Sequence, residues 1–171
     1  MATAPPRKSD LARWQREIVD HLADFPRQYA ALETAMAAFG ENFELVAFKR
    51  AYETTTEMED YNKAQAIERS LARVQNYVAD LSIVGIKLAQ LKPAGASHEG
   101  GAQRAFTTLA DAGVISRALC ARLKRAQKAR TMIEHSYVTV PAGSVHGAAE
   151  LIHEAGREFL GPYRDWIEEY L

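Results

Sequence analysis

Three side chains close together in the chain, Arg130, His135 and Tyr137, carry the types that can do chemistry on a charged substrate. Arginine keeps its charge at any working pH and offers a flat fork of donors matched to phosphate or carboxylate oxygens. Histidine exchanges protons near neutrality, because its ordinary pKa lies at about 6.5. Tyrosine adds a flat ring and a hydroxyl. Together they suit proton transfer beside a held anion. Arg130 also stands where an arginine is costly. The apolar stripe Ile115, Leu119, Leu123, Ala126 continues at helical spacing into Arg130, then Ile133 and Tyr137. A guanidinium on a core-facing stripe, left without a partner, costs several kcal/mol. Two readings stay open: the face is a cleft that meets an anion, or Glu134, one turn on, pairs with Arg130 and staples the helix.

The helix that must carry these residues is basic. Between Val114 and Arg130 stand Arg117, Arg122, Lys124, Arg125, Lys128 and Arg130, with no acidic residue among them. The whole chain of 171 residues has a net charge of −1, so the molecule is no polycation. A local patch of this kind can draw phosphates or an acidic partner to one face, or can be a solvated helix surface. The single cysteine, Cys120, cannot form an internal disulfide, which points to a reducing, cytoplasmic setting. The opening Met1–Pro6 lacks an apolar run and does not read as a secretory leader, and no later segment reads as membrane-spanning.

The remaining elements all read as helical. Ser9 or Asp10 can cap a first helix to about Asp24, with Leu11, Trp14, Ile18 and Leu22 on one stripe. Pro26 suits the start of a second helix, ended by Gly40, and a weaker third covers Phe43 to Glu53. From Met58 to about Leu91 a near-heptad seam runs through Ala64, Ile67, Leu71, Val74, Val78, Leu81, Leu88 and Leu91, predicting one long amphipathic helix. A short helix spans Gln103–Ala110, and another runs from about Ser116 toward His135. Val138-Thr139-Val140-Pro141 should be extended, and Ser144 opens a last helix that Gly161-Pro162 should break or kink. The sum is an all-α protein, an antiparallel helical bundle.

The motif has a context. Arginine, four residues, histidine, one residue and tyrosine close a basic helix that "LADAGVIS…ALCARLKRAQKAR" leads into. A long helix bearing Ala66, Arg69, Leu71 and Ala72 precedes it, and an extended stretch and a final amphipathic helix follow. In motif and element order, Met58 to Leu171 resembles the HepT-like branch of the HEPN superfamily. The resemblance implies a HEPN-type bundle over 58–171, with 1–57 as an N-terminal helical extension. It also implies a metal-independent endoribonuclease toxin of a type II toxin–antitoxin system. The implied partners are a second copy of the chain, RNA as substrate, and a minimal nucleotidyltransferase antitoxin that can adenylylate the motif tyrosine. Carried over, the catalytic pair is Arg130 and His135, and Tyr137 is the modification or substrate-contact residue. Thr131 stands where the family commonly has asparagine, and Glu134 where an uncharged residue is usual. Both are supporting positions here, and together they give the alternative reading: a weakened module that mainly binds a nucleotidyltransferase or nucleotide.

RNA brings its own nucleophile, the 2′-hydroxyl, so the implied reaction needs no metal or cofactor. His135 would move the proton and Arg130 would hold the phosphoryl charge, leaving a 2′,3′-cyclic phosphate and a 5′-hydroxyl. Five residues on a regular helix amount to about 140° of rotation, so Arg130 and His135 do not share a face. A local bend, or a two-fold dimer that pools two copies, would bring them together. His146, Glu150 and His153 form a separate stripe that copies one half of a di-iron helix motif, but no second Glu-x-x-His exists, so no metal is expected and the three read as surface or groove residues. Arg117, Arg122, Lys124, Arg125 and Lys128 are the expected surface for RNA or the partner.

Overall fold

The computed structural model describes residues 6–54, 56–94, 98–135 and 140–171. Among them the chain forms six α-helices and no strand: α1 Lys8–Ala37, α2 Leu45–Glu53, α3 Met58–Leu88, α4 Gly101–Asp111, α5 Arg117–His135 and α6 Ala142–Ile167. A single 3-10 turn, Glu168–Tyr170, ends the chain.

The seam legible in the sequence builds the centre. Ala64, Ile67, Leu71, Val74, Val78, Leu81 and Leu88 of α3 are all buried, whereas the helix ends at Leu88 and Leu91, the last expected member of the seam, lies beyond it and is only half-buried. Each of the other five helices touches α3. A leucine or valine buried this way contributes about 1.5–3 kcal/mol of transfer free energy. Ile18, Phe25 and Leu32 of α1, Phe48 of α2 and Phe159 of α6 belong to the same continuous core.

Two prolines behave differently from their local expectation. Pro26 does not open a new helix; it lies inside α1, which runs without a break from Lys8 to Ala37. A helix-interior proline forfeits one hydrogen bond and costs about 3 kcal/mol. Ile18, Phe25 and Leu32, at seven-residue steps on both sides of it, are buried together, and that shared burial holds the helix through the proline. Gly161-Pro162 likewise leaves α6 unbroken, because Phe159, Tyr163 and Ile167 are buried at steps of four across it. Tyr163 also donates its hydroxyl hydrogen to the Leu81 carbonyl at 2.5 Å, tying α6 to α3. Gly85 makes room for this contact, since a Cβ there would lie 2.5 Å from the Tyr163 hydroxyl.

Local signals set the entry to α5. Gly113 takes φ +76°, and the Val114 amide returns to the Leu109 carbonyl at 2.9 Å, closing α4. Ser116 then caps α5 by accepting the Leu119 amide at 3.0 Å. The last helix begins at Ala142, two residues before Ser144, with the Pro141 carbonyl accepting its first bond, from Ser144, at 2.9 Å. Of the stretch expected to be extended, Val138 and Thr139 lie outside the described residues, and Val140 and Pro141 are non-helical. No helix among the described residues is long and apolar enough to cross a membrane.

Candidate functional site

The stripe lies as its spacing requires: Ile115, just before α5, and Leu119, Leu123 and Ala126 on it are buried, and the next member is Arg130. Its side chain is 21% exposed and its Nη1 lies 2.7 Å from Oε2 of Glu134, itself 31% exposed. Pairing one turn apart along a helix answers the charge problem in part. The Nε of Arg130 is nevertheless shut off from solvent and meets no acceptor among the described residues. A buried donor without a partner costs about 1–3 kcal/mol. Among the described residues only the Nε of Arg104, on α4, is in the same state.

Behind Arg130 the α3–α5 contact is polar. Gln75, 1% exposed in the middle of the α3 seam, donates from Nε2 to Oε1 of Gln127 at 3.0 Å. Gln127 stands three residues before Arg130. Neither glutamine was expected as part of the site. The available signal was Gln75 itself, a polar residue inside an apolar seam. Thr131 gives its hydroxyl hydrogen to the Gln127 carbonyl one turn back, at 2.9 Å. Its side chain is thus engaged on its own helix.

His135 is the last residue of α5 and is exposed. The helix is continuous to that point, and no contact among the described residues links His135 to Arg130. Tyr137 lies outside the described residues.

The basic run proves largely neutralised by acids from elsewhere in the chain. Arg117 pairs with Asp111 at 2.7 Å, Lys124 with Glu99 at 2.6 Å, and Arg122 with Glu158. The Lys124 ammonium, hydrogen-bonded to Glu99, holds that carboxyl below its ordinary pKa. Arg125 and Lys128, both exposed, take part in no ion pair among the described residues. The surface left for a phosphate is therefore Arg125, Lys128 and the open edge of Arg130.

The histidines of α6 have structural partners. His146 is buried rather than in a surface groove: its ring stacks on Phe43 at 4.2 Å, and Nε2 lies 2.5 Å from the Phe43 carbonyl. His153 stacks on Tyr29 at 5.2 Å, with Nε2 3.2 Å from Oε1 of Glu33. Glu150 lies 3.3 Å from Nδ1 of His146. No cluster of metal-binding geometry exists among the described residues.

No family model, curated protein or solved structure matches the chain. The chemistry assignable to this end of α5 is anion binding by an arginine that retains an unmatched donor. His135, five residues further along, is exposed.

Proposed function

We propose that the chain is a HepT-like HEPN protein, an antiparallel helical bundle acting as a metal-independent endoribonuclease toxin. The observation that carries this reading is the unmatched, buried Nε of Arg130 at the open end of a basic helix. An anion with two oxygens, such as a phosphodiester, supplies the acceptor that the protein lacks there. His135 then serves as the proton-transfer group at the 2′-hydroxyl or the leaving 5′-oxygen. Because α5 sends Arg130 and His135 out at different angles, the working site is composite, formed in a homodimer from both copies. The cytoplasm is its setting, and a minimal nucleotidyltransferase is its antitoxin, docking on Arg125 and Lys128 and acting on Tyr137. Contacts of Asp24 with Tyr77 and His21 with Asp80 support opposite directions for α1 and α3.

The test is cleavage of a labelled RNA with chelator present. The parent should release 2′,3′-cyclic phosphate ends, and His135→Ala should lower the rate by about two to four orders of magnitude without changing the melting curve. Cleavage by His135→Ala at the parent rate would end this reading.

A second reading has its own observation, the Arg130–Glu134 ion pair. It makes the chain a weakened member that grips a nucleotidyltransferase or nucleotide and does not cut RNA. Glu134→Ala separates the two. A rise in cleavage on freeing the guanidinium supports the enzyme, and no cleavage by either form supports the binding module.

A further inference from the structure

Five residues after His135 the chain reaches Val140, and with Pro141 it closes one wall of a cavity of about 430 Å³. Its other walls are Tyr52 and Glu53 at the end of α2 and Tyr61 and Gln65 at the start of α3. Five peptide steps separate His135 from Val140, a span of at most about 18 Å. The cavity is therefore tethered within about 18 Å of the motif histidine, a reach of a few nucleotides. Its size suits a small-molecule or nucleoside moiety.

The two tyrosines differ. Tyr52 is buried, its ring 5.4 Å from Phe48, and it donates its hydroxyl hydrogen to Oε1 of Glu68 at 2.7 Å. It forms a fixed wall. Tyr61 is 40% exposed and belongs to no aromatic pair among the described residues. Gln65 follows it by one turn, on the same face of α3, and brings a donor and an acceptor to the same opening. Glu53 adds a carboxylate that can accept from an exocyclic amine. A free ring, an amide and a carboxylate around an apolar wall form the combination that receives an unpaired base, by stacking on its face and hydrogen-bonding its edge.

We propose that this cavity is a nucleobase subsite for single-stranded RNA, with Tyr61 as the stacking ring and Gln65 and Glu53 on the base edge. The assignment rests on the ribonuclease reading only for where the scissile phosphate lies.

The probe is a short 2′-O-methyl RNA, which cannot be cleaved, carrying 2-aminopurine. The parent should bind it and quench its fluorescence. Tyr61→Ala should weaken binding about tenfold or more and abolish the quench, with an unchanged melting curve; Tyr61→Trp should restore both. Gln65→Ala should change the preference among bases more than the affinity. Parent-like affinity and quenching in Tyr61→Ala, or no binding of the probe by the parent, would overturn the subsite. The ribonuclease reading fails separately: if the probe binds through Tyr61 while His135→Ala cuts RNA at the parent rate, the subsite stands without that catalytic site.

Discussion

The seam between α3 and α6 and the far end of α5 use polar groups in opposite ways. In the seam the buried hydroxyls of Tyr163 and Ser82 each have a partner of fixed position. Tyr163 gives its hydrogen to the Leu81 carbonyl, and Ser82 bonds the Val78 carbonyl at 2.7 Å on its own helix. At the end of α5, Arg130 keeps a buried donor with no acceptor among the described residues, and His135 faces solvent. A satisfied buried polar group fixes one packing; an unsatisfied one costs stability and persists where a missing partner completes it. Burial alone would have ranked the two regions the wrong way round, because Tyr163 is the more enclosed by far.

The strongest way to break this contrast is to overfill the seam. Gly85→Ala would push a methyl to 2.5 Å from the Tyr163 hydroxyl and 3.1 Å from the Trp166 ring. Tyr163 is fully buried and cannot move aside, so a loss of about 3 kcal/mol is expected in urea unfolding. Anion binding at Arg130 should survive in the folded fraction. A variant as stable as the parent would show that the seam is loosely packed.

A smaller effect sharpens the same contrast from the charged side. The Tyr77 hydroxyl bonded to Asp24, with Gln28 and Arg27 beside it, holds that carboxyl below its ordinary pKa. Glu99 is held down in the same sense by Lys124. A carboxyl lowered in the folded state stabilises fully above its unfolded pKa of about 4, and that contribution is lost as pH falls through the lowered value. Asp24→Asn should therefore melt below the parent at neutral pH, and the gap should close in acid. A gap that stays constant from neutral pH to about pH 2 would remove Asp24 from the α1–α3 contact.

Much of this was readable in the sequence. The α3 seam announced the central helix because apolar spacing reports a buried face directly. Arg130 was conspicuous for the same reason, and its pairing with Glu134 was one of two legible outcomes. The continuity of α1 through Pro26 was not legible, because the local cost of proline is visible in one residue while the burial that outweighs it is shared by α1 and α3. The state of the basic run was hidden too. Lys124 meets Glu99 from 25 residues before it and Arg122 meets Glu158 from 36 residues after, pairings that only the folded chain creates. His146 was placed on the surface because nothing local shows that the Phe43 carbonyl, 103 residues away, reaches its ring.

The claim that Arg130 holds an unmatched donor for an anion can be read at the atom itself. In a nitrogen–proton correlation spectrum, the Arg130 Nε–H resonance, assigned by its loss in Arg130→Lys, is followed as an uncleavable RNA dinucleotide is added. A downfield shift that saturates with the dinucleotide, slows exchange with water and grows in Glu134→Gln is the expected result. An Nε–H signal that stays in place at saturating dinucleotide would contradict an anion site at Arg130, leaving the residue as the partner of Glu134 and nothing more.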